Sequence, residues 1–260
     1  MFTDIHGHYA WGIDDGIPSK EEAIKALEMA KDQKISTIVA TPHITCGKTT
    51  SDDLKLIVHR IEEFKGLAEG YDIDVIKGCE LMLNHHVDEA LNKNIYLPIE
   101  DTSYILCEYN VRKPTEDFLD QFEDYIMNVK LAGYIPVVAH VERYFHEVID
   151  LDYVQFLIDL GCVIQINTTS ILGTGHAVHH NNAIALLDAQ MVHVVATDTH
   201  KTMGGRTPNM QTCFDALLKA GYQREYAELL LKKNPERLLK NEDIIQPEFK
   251  KRGFLTKLFR

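Results

Sequence analysis

Short runs of β-branched and aliphatic residues recur along the chain. They lie at 2–8, 35–41 (ISTIVAT), 73–77 (IDVIK), 103–109 (SYILCEY), 135–140 (IPVVAH), 162–167 (CVIQIN) and 192–198 (VHVVATD). Between them, apolar residues fall at a spacing near 3.6 over about 19–33, 51–69, 115–132, 149–160, 177–190 and 209–220, as with Ala23, Leu27 and Ala30. Ser19 with Glu22 reads as a capping box for the first helix. Gly221 reads as the stop of the last. Strands alternating with helices predict a parallel sheet. Seven strands in 260 residues favour a closed or nearly closed α/β barrel over an open sheet.

The polar residues interrupting this pattern sit at strand ends. Residues two apart on a strand share a face, so DIHGH presents His6 and His8 together with Asp4 behind them. Two adjacent neutral imidazoles suit a divalent cation. The functional face of a parallel barrel lies at the C-terminal ends of its strands. There stand His43 in ATPH, Glu80 in KGCEL, His140 in VVAHVERY, and Asp198 and His200 in VATDTH, with Asp15 in the first loop, GIDDG. Singly, each has an ordinary reading as a loop residue, a solvated carboxylate or a helix cap. Placed jointly at successive strand ends, they are the donor set of a polynuclear metal site for ions that accept imidazole and carboxylate together.

The formal charge of −12 speaks against a nucleic-acid partner, although metal ions can reverse the local potential at a phosphate site. Five scattered cysteines read as reduced thiols. No apolar stretch approaches a membrane span, and no leader pattern opens the chain, so a cytoplasmic protein is expected. Composition shifts only at the end, dividing a domain at 1–245 from a tail at 246–260. The basic, apolar part of that tail is EFKKRGFLTKLFR, 248–260. It suits docking to an acidic segment of a partner or to an anionic membrane; a frayed terminus is the plainer reading.

The ordered set DIHGH, DDG, ATPH, GCE, AHVERY and TDTH resembles the motifs of the polymerase and histidinol phosphatase (PHP) superfamily. Within it, DDG, HVERY, QINTTSILGTG (165–175) and the arginine after TDTH are similar to the manganese-dependent protein-tyrosine phosphatases of bacterial capsule and exopolysaccharide operons, the CpsB/YwqE type. The resemblance runs from residue 2 to about 240. It implies a distorted (β/α)7 TIM-like barrel whose metal ligands are His6, His8, Asp15, His43, Glu80, His140, Asp198 and His200. Glu80 would bridge two ions, with His6, His8 and Asp198 on one side and His140 on the other. Asp15, His43 and His200 would hold a third. Manganese is the implied metal, with iron or zinc as alternatives, in two or three ions. The implied partner is a phosphotyrosine protein, a membrane-associated bacterial tyrosine autokinase. Three departures from the family pattern are Gly7 where serine is common, Ile44 after His43, and TDTHK in place of SD-x-H-N.

The implied chemistry is attack of a metal-bridging hydroxide on phosphorus, with a phenolate (pKa ≈ 10) leaving easily. Arg143 and Arg206 offer planar forks for the phosphate oxygens; a rim Arg–carboxylate pair is the ordinary alternative for each. Cysteine catalysis is excluded, because no cysteine has an arginine six residues on. The competing substrate is a small phosphomonoester such as histidinol phosphate. Weaker alternatives are an amidohydrolase, which would want a lysine ending SYILCEYN, and a non-catalytic metal-binding regulator. Tyr9, Trp11 and Tyr144 are candidates either for pocket walls or for ordinary packing. His85, His86, His176, His179 and His180 lack acidic partners and read as solvated.

Overall fold

The computed structural model describes residues 1–247, so the basic stretch 248–260 and any docking role for it lie outside the described residues. All seven expected strand regions form, but two are broken. The strands are β1 (Phe2–Gly7), β2 (Ile35–Ala40), β3 (His43–Thr45), β4 (Asp74–Lys77), β5 (Glu80–Met82), β6 (Tyr104–Glu108), β7 (Ile135–Val138), β8 (Val163–Asn167) and β9 (Val194–Ala196). Every ladder is parallel, in the orders β1-β2-β4 and β3-β5-β6-β7-β8-β9.

β2 and β3 are one stave interrupted at Thr41-Pro42, where proline supplies no N–H to the ladder. β4 and β5 are likewise one stave, broken at Gly78-Cys79. Gly78 N still donates to Ala40 O (3.1 Å) and Glu80 N to Pro42 O (3.1 Å), so the two staves stay in register across the gap. The seam between last and first strands is closed by a Gly7–Thr199 parallel bridge, with Asp198 N donating to His6 O (2.9 Å) and His8 N to Thr199 O (2.8 Å). The result is a distorted barrel of seven staves.

Inside it, Ile5, Val39, Tyr104, Leu106, Val137, Val163, Val194 and Ala196 form one buried cluster with Leu238. A second, larger cluster packs the helices, including Leu27, Ile61, Phe122 and Leu186, against the sheet. Two residues further along three of the lumen columns, the facing side chains turn polar. Leu106 gives way to Glu108, Val163 to Gln165 and Asn167, and Ala196 to Asp198, all buried. The lumen is thus apolar through its body and ionisable at its C-terminal mouth.

The six expected helices are Lys20–Asp32, Ser51–Ala68, Thr115–Leu131, Leu151–Asp159, Ala177–Ala189 and Met210–Lys219. Only half of the first capping box forms. Ser19 accepts from Glu22 N (3.3 Å), but the Glu22 carboxylate turns to Lys25 (2.6 Å) and Thr202. The complete box is at Thr50 and Asp53. Helices at Val87–Asn92 and Thr168–Leu172 and the run from Arg224 to Leu239 were not expected. Two of these are a turn or so long, too short for periodicity to register. The last brings Leu238 under the lumen.

Candidate metal centre

His6, His8, Glu80 and Asp198 are fully buried, and each offers a donor atom within 4.8 Å of the others. Glu80 Oε2 lies 3.2 Å from His6 Nε2 and 3.0 Å from His8 Nε2, and Asp198 Oδ1 lies 3.4 Å from His6 Nε2. The other Glu80 oxygen, Oε1, is 2.9 Å from His140 Nε2. One carboxylate therefore stands between two imidazole groups. Asp15 Oδ1 is 3.2 Å from His43 Nε2 and 3.5 Å from His200 Nε2, on the open side, where the Asp15 side chain is 67% exposed. All eight expected ligands are brought to one mouth.

Hydrogen bonds decide how the imidazoles face. His6 Nδ1 donates to Gln165 Oε1 (3.1 Å), His8 Nδ1 to Asp14 Oδ2 (2.7 Å), and His200 Nδ1 to the Asp198 carbonyl (3.0 Å). Each bond puts the proton on Nδ1 and turns the Nε2 lone pair towards the centre. For His6 and His8 it meets carboxylate oxygens, an arrangement that calls for a cation or a proton, while for His200 it accepts from Arg206 Nη2 (2.6 Å). Burial depresses His6 and His43, yet their acidic neighbours more than reverse it, raising His6 to about 9 and His43 to about 10. For His6 these are Glu80 and Asp198; for His43, Asp15 leads. Burial and the adjacent Arg143 hold His140 down at about 4. Against burial, His6, His140 and His43 hold Glu80 well below the usual carboxylate range.

Glu80 Oε2, Glu108 Oε2, His43 Nδ1 and His140 Nδ1 are buried without a hydrogen-bond partner. Buried polar atoms are normally satisfied, so four such orphans in one place mark capacity held for something else. Imidazole and carboxylate donors in this arrangement fit borderline to hard divalent ions.

Three contributors escaped the sequence reading. Glu108 ends β6 within reach of His43 Nδ1 and His140 Nε2 (both 3.6 Å) and groups with His43 and Glu80 as a further donor cluster. Burial and the nearby Glu80 raise it to about 8. Its signal was an acid at an inward strand end. Asp14 orients His8 and accepts from His43 N (3.0 Å). Gln165 accepts from both His6 and the His140 backbone (2.9 Å), then donates to Asn167 (2.8 Å), whose amide donates to Asp198 Oδ2 (2.8 Å).

Both arginines converge on Asp198. Arg143 Nη1 is 3.1 Å from Oδ2, and Arg206 Nη2 is 2.7 Å from Oδ1. His140, Asp198 and Arg206 all have left-handed backbones (φ +34°, +53° and +60°), as do several residues of turns elsewhere. Asp4 stays behind the centre, accepting from Thr197 N (3.0 Å) and Tyr9 OH (3.1 Å). Tyr9 and Tyr144 are core residues, stacked on Phe64 and packed on Phe118, and Trp11 packs under Arg60. Gly7 is explained by Tyr9, because a Cβ there would lie 2.3 Å from its ring. A Cβ on Gly16 would lie 2.3 Å from the His8 Cβ, which accounts for the glycine closing DDG.

Comparison with known proteins agrees. The chain is 29% identical over 247 residues to the tyrosine-protein phosphatase CpsB of Streptococcus pneumoniae, covering 92% of this chain and 98% of that one. It is 28% identical over 244 residues to the tyrosine-protein phosphatase YwqE of Bacillus subtilis, covering 94% and 93%. A crystal structure from work on those two proteins, described as unique metal-dependent tyrosine phosphatases, superposes with TM-score 0.78 at 27% identity over 94% of this chain and 97% of that one. The phosphotriesterase homology protein of Escherichia coli (TM-score 0.60, 12% identity, covering 92% of this chain and 98% of that one) shares the fold alone. The model for capsular polysaccharide synthesis proteins, CpsB/CapC, matches residues 2–240, and the chain belongs to that family.

Proposed function

We propose that this chain is a metal-dependent protein-tyrosine phosphatase acting on a phosphotyrosine protein, its partner a membrane-associated bacterial tyrosine kinase of capsule or exopolysaccharide synthesis. The carrying observation is the buried set His6, His8, Glu80 and Asp198, with Asp15, His43, His140, His200 and Glu108 around it, in a family whose relatives are tyrosine phosphatases. Manganese is the favoured metal, in two or three ions, with iron or zinc as alternatives. When bound, such ions neutralise phosphoryl oxygens and lower the pKa of water.

The chain's own residues do the rest. Gln165 and Asp14 hold Nδ1 of His6 and His8 in hydrogen bonds, so that Nε2 is the atom each would give to a metal ion. Arg143 and Arg206, drawn to the centre by Asp198, offer N–H groups to phosphate oxygens. Tyrosine is a good leaving group (pKa ≈ 10), so stabilising the charge on phosphorus is the main demand. Residues 1–245 serve as the catalytic unit and 246–260 as its tail. All five cysteines are buried and unpaired, which supports a reducing, cytoplasmic setting. No helix among the described residues is long and apolar enough to cross a membrane.

The test strips metal from the protein, restores Mn²⁺, Fe²⁺ or Zn²⁺ separately, and compares a phosphotyrosine peptide with histidinol phosphate. The reading expects Mn²⁺-dependent hydrolysis favouring the peptide. Absence of phosphate release with every metal, or preference for histidinol phosphate, overturns it. Anomalous scattering at the metal edges counts the ions directly.

A further inference from the structure

Beside the metal centre lies an open cleft of about 290 Å³, small against typical ligand pockets, with Arg143, Asn167 and Arg206 forming the side nearest the centre. Its outer part is made by Thr169, Thr174, His176, His179 and Lys201. In a chain of net charge −12, none of the residues lining this cleft is acidic, while three are permanently cationic. The arginines are already engaged by Asp198, but Lys201 is exposed, and no ion pair of it is found among the described residues. The helix Ala177–Ala189 begins at the same wall. Its N-cap, His176, makes no side-chain cap, and its first turn carries no acid, so its terminal N–H groups are unneutralised. Of the other long helices, those starting at Lys20, Ser51 and Leu151 have both a side-chain cap and a first-turn acid, the one at Thr115 has the acid alone, and the one at Met210 has neither.

We propose that this cleft is a subsite for a second anionic group, borne by a residue flanking the phosphotyrosine, with Lys201 as its specificity determinant. The inference rests on the phosphatase reading and deepens it. Because Arg143 and Arg206 both line the cleft and face the centre, a peptide whose phosphate lies on the arginines runs directly into it. The flanking anion is a carboxylate or a second phosphate; the chemistry that recognises either is the same.

The experiment uses the Mn²⁺-loaded full chain and three phosphotyrosine peptides differing only beside the phosphotyrosine: glutamine, glutamate, or a second phosphotyrosine. The readout is the ratio of kcat/KM for each anionic peptide over the neutral one. About fivefold or more is expected for at least one anionic peptide, collapsing towards one in 0.5 M salt. A glutamate preference assigns a carboxylate-tolerant site, and a preference confined to the doubly phosphorylated peptide assigns a phosphate site. Charge reversal by Lys201→Glu at this exposed position is expected to bring the ratio to one or below. A ratio near one in the wild-type protein, or one unchanged by both salt and Lys201→Glu, overturns the subsite while leaving the phosphatase reading standing. No hydrolysis of any peptide overturns both.

Discussion

The two ends of the barrel treat buried polar groups in opposite ways. At the end where Leu238 lies under the lumen, the closed end, two buried polar side chains have a partner at each polar atom. Asn234 Nδ2 donates to His193 O and to Ile245 O (2.9 Å each), and its Oδ1 accepts from Ile245 N (3.0 Å). His193 Nδ1 accepts from Ile164 N (2.8 Å), and its Nε2 donates to Gln246 (2.6 Å). At the open end, Glu80, Glu108, His43 and His140 each retain a buried atom with no hydrogen bond. Single unsatisfied atoms also occur elsewhere, as at Tyr153 and Asn209; it is the gathering of four around one centre that marks groups kept for a ligand.

The largest expected effect breaks the contrast at the open end. Removing metal with a chelator should lower phosphotyrosine hydrolysis by about 10³-fold or more and lower the melting temperature, with Mn²⁺ restoring both. A melting temperature indifferent to Mn²⁺ would mean that the orphaned donors hold no ion. Next, Glu80→Gln should cost about 10²-fold in kcat/KM. In metal-free protein it should also lower the melting temperature, because His6 and His43 lose the carboxylate that holds them charged. A Glu80→Gln protein with unchanged Mn²⁺-dependent activity would take Glu80 out of the metal centre.

Gln165→Leu should weaken metal binding about tenfold by freeing the His6 tautomer, as read by Mn²⁺ titration against melting temperature. Asn234→Ala should cost stability while sparing activity. Its expected cost is about 2 kcal/mol of unfolding free energy in denaturant, with kcat/KM of the metal-loaded protein within about twofold of wild type.

The smallest effect is a pH dependence at His193. Burial lowers its pKa, only partly offset by Gln246. Its folded value therefore lies below the unfolded one of about 6.5, so the stability it contributes is present above pH 6.5 and lost as pH falls towards the lowered value. Protonated Nδ1 would also oppose the Ile164 N–H. The difference in melting temperature between wild type and His193→Gln should shrink from pH 7.5 to pH 5; a constant difference would contradict it.

Much of the open end was legible because its donors follow a local rule. Each stands where a β-branched run stops, and strand order carries all the stops to one mouth. Glu108 obeys the same rule, but in SYILCEY it stands inside an apolar run flanked by Cys107 and Tyr109, with no neighbouring imidazole to mark it. Asp14 was read as part of DDG without a role, because orienting His8 is visible only when the loop folds back. The closed end was almost illegible. The run from Arg224 to Leu239 contains a π-helical segment, Leu229–Lys233, that breaks the 3.6 spacing on which helix recognition depends. Its bond to His193, from Asn234, spans 41 residues, and the bond from Gln246 beyond it spans 53.

The amino-acid order by itself determined the alternation of strand and helix, the parallel sheet, and which imidazoles and carboxylates end the strands. All of these follow from periodicity and chain direction within a few residues. Only the tertiary structure decided that the ring is broken at Pro42 and Gly78, that both arginines turn to Asp198, that Tyr9 fills the space beside Gly7, and which buried donors keep unused lone pairs. Those outcomes depend on where side chains come to rest once the strands and loops have packed, and a hydrogen bond is made or missed within a few tenths of an ångström.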